Sequence, residues 1–397
     1  MGQKYPKPKD INFPEAKKVN WKILSPGKKP EDQNVRVTSI TLLKSGNILI
    51  SYYRSTRKDF NLRSFLIILT VPKLEVVQKY EFEGVVVDDI CYVSKMAHQL
   101  KNGNIFAFCD KLYIFDGEDI AKGPKKDAKI CETLIYSQDE KFFEPSDKRE
   151  KYPIHKTFKY LFCDFILEIK DGEFIFTDRY KSENHYIFYF KIKSTIIEKE
   201  RIFIYTKKVK NTNEVYKLDI IHRSEHYPEM LYIVGNLYLV AENGYESIFL
   251  GLNVNKLLKN GEETKPAFKI DVSKTQHIIG LCEYDKKYVL LDSFKEGIII
   301  IDMDTKQPVA VSIPKYIIKE LKGHTHGEYF KTGQGPLYRK IIKLKNGNIL
   351  AHGKIIDIRE EKILLEFKTD ILFVEVEDYI VYPSMTFEVL VVKLIEE

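Results

Sequence analysis

Residues 222–226 read HRSEH, the H-x-x-E-H spacing used by inverted zinc peptidases. That chemistry sets two imidazoles four residues apart on one helix face to hold zinc, while the glutamate activates metal-bound water. Here the segment follows the strand-like VYKLDII and precedes Pro228, and no independently marked third ligand lies downstream. It reads as a polar loop or strand bulge. His324 and His326 in GHTHGEY are either two imidazoles awaiting an outside metal ligand or part of a Gly-rich surface loop. Lys122, Lys125, Lys126, Lys207, Lys208 and Lys210 form charge runs with no interleaved aromatic platform, a pattern of solvated loops and not of a nucleic-acid surface. No Gly-rich phosphate cradle, nucleophile elbow or kinase signature occurs. No cofactor is expected.

Another set emerges from copies of one turn. LKSGNI at 43–48 is echoed by LKNGNI at 100–105 and again at 344–349. Weaker copies are IKDGEF at 169–174, IVGNLY at 233–238, EYDKKYVLL at 283–291 and VEDYIVY at 376–382. Counting forward from each turn, the next strand ends near Tyr53, Asp110, Asp178 with Arg179, Glu242, Asp292 and His352. If the copies are related by a common axis, these side chains gather at one mouth of a central channel. Converging carboxylates would raise one another's pKa values or attract a cation, with Arg179 offsetting part of the charge. On that basis the alternative function is a metal-dependent hydrolase or lactonase. The same residues also fit ordinary strand ends facing water.

The elements that must position these residues are strands. Among 397 residues there are 25 Tyr and 24 Phe beside many Ile and Val, a composition suited to pleated, half-buried sheets. An Asn-Gly pair between apolar alternations signals a hairpin, expected here as a type I′ turn with positive φ at both central residues. Each turn is followed by two further strands, and usually by a fourth such as EVVQKYEF, IIEKERIFIY, PVAVSI or KILLEF. Seven units of four antiparallel strands predict an all-β, seven-bladed β-propeller, in which stacked sheets cover each other's apolar faces. The last unit lacks a fourth strand, and KVNWKIL at 18–24 is placed to supply it and close the ring. Residues 1–17 then form an N-terminal tail and 18–397 one domain. Insertions are expected at 137–159, 206–215 and 314–336, all between a fourth strand and the next first strand, hence on the rim opposite the Asn-Gly hairpins.

The units LKSGNILISYY, LKNGNIFAFCD and LKNGNILAHG resemble a divergent WD-repeat-type propeller without the Trp-Asp signature, over about residues 18–395. The resemblance implies a scaffold that binds proteins or peptides through its rims and channel mouth. The charge balance agrees: 63 basic against 57 acidic residues make a mixed surface. Five cysteines without a CxxC pair read as reduced core thiols, which together with the lack of a signal peptide points to the cytoplasm. The longest aliphatic run, Ile298–Ile301, is too short to span a bilayer, and Pro6 stands where a myristoylation signal at Gly2 wants Ser or Thr. The expected role is a non-catalytic platform and subunit of a larger assembly, with a protein or peptide partner and neither nucleic acid nor membrane. Phe143, Tyr152, Tyr316 and Tyr329 on the long insertions are the candidate anchors, because rigid rings on loops bury much area for little lost rotamer freedom.

Overall fold

The computed structural model describes residues 5–17, 19–25, 35–55, 62–82, 96–108, 112–124, 166–170, 173–177, 187–193, 196–203, 206–209, 212–239, 244–273, 277–293, 297–312, 341–351, 354–366, 373–383 and 389–396. A lone strand, β1 (Val19–Ser25), precedes a series of antiparallel meanders. Sheet I contains β2 (Val35–Leu42), β3 (Ile48–Ser55), β4 (Leu62–Leu69) and β5 (Val76–Glu81), and sheet II contains β6 (Met96–Gln99), β7 (Ile105–Phe108) and β8 (Leu112–Phe115). Sheet III is built from β9 (Ile166–Lys170), β10 (Glu173–Thr177), β11 (Ile187–Lys193) and β12 (Ile196–Phe203), followed by a two-stranded ribbon, β13 (Thr206–Val209) with β14 (Thr212–Val215). Sheet IV consists of β15 (Lys217–Arg223), β16 (Met230–Leu239), β17 (Gly244–Asn253) and β18 (Phe268–Ser273), with a short helix α1 (Val254–Asn260) before the last. Sheet V has β19 (Ile278–Glu283), β20 (Tyr288–Ser293), β21 (Gly297–Asp302) and β22 (Gln307–Ser312). Sheet VI has β23 (Ile342–Lys343), β24 (Ile349–Ala351), β25 (Lys354–Asp357) and β26 (Lys362–Glu366). Sheet VII has β27 (Val374–Val376), β28 (Tyr379–Pro383) and β29 (Val389–Glu396), and its fourth strand is β1, antiparallel to β29 with Trp21 opposite Leu394.

A strand's place in its sheet can be read from its letters. The first three strands of sheet V are buried on both faces, and β21 accordingly reads GIIIID. Its residues split by parity: Ile299 and Ile301 pack toward sheet IV, whereas Ile298 and Ile300 pack toward sheet VI. Outer strands see more water, so β5 reads VVQKYE and β26 reads KILLE with exposed positions alternating. Shared clusters join successive sheets. Leu49 and Leu66 of sheet I meet Ala97 and Ile105 of sheet II. Phe106 of sheet II stacks on Phe174 of sheet III at 5.8 Å. Ile175 joins sheet III to Leu231 and Ile233 of sheet IV. Leu350 of sheet VI packs with Ile380 of sheet VII, and Val381 of sheet VII with Ile48 of sheet I. First strands meet one another from sheet to sheet, β2 against both β6 and β27, and β15 against both β9 and β19.

Two expectations about turns are corrected. In the LKSGN and LKNGN turns positive φ falls on the glycine alone, at 84° for Gly46, 92° for Gly103 and 90° for Gly347. Leu43 donates its N–H to the Asn47 carbonyl (2.8 Å) and accepts from Gly46 (3.0 Å), with the same pattern at Leu100 and Leu344. This is a three-residue loop with a glycine bulge, not a type I′ turn. The Asn side chain before the glycine is used otherwise: Asn102 Oδ1 accepts from Asn104 N–H (3.0 Å), and Asn346 Oδ1 from Asn348 N–H (3.1 Å). IVGNLY is no turn at all. It lies inside the continuous strand β16, and the hairpin of sheet IV turns at residues 224–229 instead. A side chain at Gly235 would meet Ile248, Leu218 and Tyr216 at 3.2–3.3 Å, so close packing explains this glycine.

The segment before β1, read from sequence as a tail, is docked. Pro8–Ile11 form a 3-10 turn, and Phe13, only 1% exposed, sits among Tyr284, Tyr288 and Ile341 between sheets V and VI.

Candidate functional site

Each four-stranded meander runs its first strand toward one rim, where the first-to-second hairpin turns, so its fourth strand ends at the opposite rim, whereas β8, the third and last described strand of sheet II, ends on the hairpin side. The hairpin rim is tied together by one repeated device. The lysine of each LK(S/N)GN turn donates its backbone N–H to a side chain on the first strand of the next sheet. Lys44 N–H bonds Gln99 Oε1 (2.6 Å), Lys101 N–H bonds Glu168 Oε2 (2.7 Å) and Lys345 N–H bonds Glu375 Oε1 (3.0 Å). The same lysines reach the next sheet with their ammonium groups, Lys44 Nζ to Lys101 O (2.5 Å), Lys101 Nζ to Ile169 O (3.0 Å) and Lys345 Nζ to Glu377 O (2.9 Å). The repeated lysine is therefore an inter-sheet tether.

HRSEH supplies the version of this device used by sheet IV. His222 and Arg223 end the strand β15 and Ser224 opens the turn, so the helix that zinc peptidase chemistry requires is absent here. Glu225 N–H donates to Glu283 Oε2 of β19 (2.6 Å), Ser224 Oγ donates to Glu283 Oε1 (2.7 Å), and His222 Nε2 lies 3.6 Å from Oε2. Burial pushes the Glu283 carboxyl up, but the nearby His222 and the hydrogen bonds from Ser224 and Glu225 N–H outweigh it and hold it below the usual carboxylate range. Arg223 reaches back to sheet III, donating from Nη1 to Ile169 O (2.6 Å).

The opposite rim is where the sequence placed the binding residues. Asp292 lies in β20, opposite Gly280 and Ile298, and is wholly buried. Tyr53 lies in β3, opposite Arg36 and Ser64. Asp110, Asp178, Arg179, Glu242 and His352 lie outside the described residues, as do Phe143, Tyr152, Tyr316 and Tyr329, insertions 137–159 and 314–336, and His324 with His326. Among the described residues no three metal-ligating side chains come together. Of the lysine runs, Lys122 pairs with Asp119 (2.6 Å), while Lys207 and Lys208 fall on the ribbon β13.

A buried polar clamp that sequence reasoning missed joins sheets IV and V at this rim. Asn236 Nδ2 donates to Ile278 O (3.1 Å), and its Oδ1 accepts from Ile278 N–H (3.0 Å) and Ser247 Oγ (2.6 Å). His277 Nε2 lies 3.5 Å from Asn236 Nδ2. Satisfying both ends of one amide inside an apolar stack fixes the register of the two sheets. The available signal was an asparagine in an apolar strand run, which the Gly-Asn pairing disguised as a turn.

No protein-family model matches the chain, and no curated protein matches it by sequence. Among solved structures, BamB from Moraxella catarrhalis aligns at 9% identity with a TM-score of 0.40, over 95% of this chain and 96% of that one. Sqt1 from Chaetomium thermophilum aligns at 10% identity with a TM-score of 0.45, over 94% and 100%. The same protein bound to the N-terminus of ribosomal protein L10 aligns at 10% identity with a TM-score of 0.44, over 92% and 98%.

Proposed function

We propose that the chain is a seven-bladed β-propeller latched by β1, and that it serves in the cytosol as a non-catalytic platform for a protein or peptide partner within a larger assembly. The ring would span residues 18–397. The observation that carries this reading is the division of labour between the rims. At one, short hairpins are tethered to their neighbours by the Lys, Gln and Glu bonds described above. At the other, the described four-stranded meanders deliver the ends of β12 and β22, from which the links holding 206–215 and 314–336 set out; the insertion 137–159 would join them there. Rigid strands carrying long connections on one side are a favourable support for binding loops. Phe143, Tyr152, Tyr316 and Tyr329 would act as anchors, with Tyr53, Asp110, Asp178, Arg179, Glu242, Asp292 and His352 around the mouth beneath them.

Replacing 314–336 by a short Gly-Ser link should leave the far-ultraviolet spectrum and melting midpoint close to those of the parent while abolishing recovery of the parent's partner in quantitative affinity purification. Undiminished recovery by a folded variant would remove the rim from the binding site.

A further inference from the structure

Residues 5–17 run from the last residues of β22 to the hairpins of sheets V and VI. Tyr5 packs at the edge of the cluster between sheets IV and V, and Pro6 O accepts from Val311 N–H of β22 (3.3 Å). The Phe13 ring then inserts between sheets V and VI, 4.6 Å from Tyr284 and 5.2 Å from Tyr288. Lys17 N–H donates to Asn346 O (2.8 Å) in the turn of sheet VI. Two ion pairs join the segment to the turn between β25 and β26: Lys7 Nζ lies 2.9 Å from Glu361 Oε2, and Glu15 Oε2 lies 3.5 Å from Arg359 Nη1. The three equivalent turns provide an internal comparison. Nothing lies within 4 Å of a side chain built at Gly46 or Gly103, whereas at Gly347 it would meet Ala16 Cα at 3.2 Å.

We propose that the groove between sheets V and VI is a peptide-docking site in which residues 5–17 are a cis-bound, displaceable occupant. Its ligand is a partner segment able to take the same turn, with an aromatic anchor, a basic residue on its N-terminal side and an acidic residue on its C-terminal side. The chemistry follows from the groove: an aromatic slot floored by Tyr284 and Tyr288, beside the turn between β25 and β26 that offers both the acidic Glu361 and the basic Arg359. Displaceability follows from what holds the segment, namely one buried ring, a few main-chain bonds and ion pairs whose Lys7 and Glu15 side chains are 59% and 64% exposed. Such pairs contribute little individually and exchange readily with water or a competitor. An in-chain occupant acts as a competitor at high effective concentration, so loosening it should raise affinity for a ligand in trans.

The test uses the full chain and a fluorescent peptide of residues 5–17. Phe13→Ala protein should bind the peptide saturably and at least tenfold more tightly than the parent, and a peptide carrying the same change should not bind. Charge reversal in the peptide, Lys7→Glu, should weaken binding and be rescued by Glu361→Lys in the protein. If Phe13→Ala does not fold, a Lys7→Glu, Glu15→Lys protein, which keeps the ring, replaces it with the same expected gain. Absence of saturable binding, equal binding by parent and loosened protein, or charge reversal without rescue would each overturn the proposal.

Discussion

Glu283 and Glu375 occupy matching places on the first strands of sheets V and VII, yet their surroundings drive them in opposite directions. For Glu283, burial is outweighed by His222, Ser224 and Glu225 N–H, and the folded carboxyl is held low. For Glu375, burial prevails over the Lys345 N–H and the Lys345 charge, and the folded carboxyl is pushed up. A carboxyl depressed on folding contributes stability above its unfolded pKa, and that contribution is lost as pH falls through the folded value. A raised one contributes below its unfolded pKa, and this is lost as pH rises through the folded value. Glu283→Gln should therefore cost about 1–3 kcal/mol near neutrality, the scale of hydrogen bonds to a buried charge, with the deficit shrinking in acid. Glu375→Gln should be neutral or stabilising near pH 7 and lose that advantage below about pH 4, near the ordinary carboxylate range. Urea titrations from acid to neutral pH measure both. Parallel pH profiles for the two variants would contradict the assignment.

The hairpins show how much the elements revealed of themselves. The three LK(S/N)GN copies were legible because the glycine needs positive φ and the leucine before it is buried, both of which mark the letters. Strands such as GIIIID and KILLEF were legible because burial on two faces or one leaves a different alternation. Partnership between elements was not legible. No pattern within LKNGN says that its lysine reaches a carbonyl in the next sheet, and none in IVGNLY says that its asparagine clamps Ile278 across an interface. The candidate mouth was legible only as strand-end positions, and Asp292 alone among its carboxylates falls in the described residues. The turns also yield a graded test. Gly46→Ala and Gly103→Ala meet open space and should cost about 1–2 kcal/mol through positive φ alone. Gly347→Ala adds contacts at 3.2 Å with Ala16 and the Tyr284 hydroxyl, so its melting midpoint should fall further than either. Equal losses at the three sites would mean that the N-terminal segment yields freely.

At the scale of the molecule, stacked sheets share their cores with neighbours, and stability is spread over interfaces instead of residing in any one sheet. Without β1 the edge of β29 would present unpaired N–H and C=O groups, an invitation to aggregation that the pairing from Val19–Glu396 to Ser25–Val391 removes. The chain carries its own reporter, because its one tryptophan, Trp21, lies in β1 opposite Leu394. If the latch and the stack form one cooperative unit, the urea midpoint followed by Trp21 emission should coincide with that followed by far-ultraviolet circular dichroism. Replacing Val19–Ser25 by a Gly-Ser segment of the same length, which leaves residues 5–17 in the chain, should then lower the dichroism midpoint of the whole molecule and raise light scattering at the same protein concentration. A tryptophan transition completed well before the dichroism changes would show that β1 only decorates sheet VII, and that the remaining sheets hold together without it.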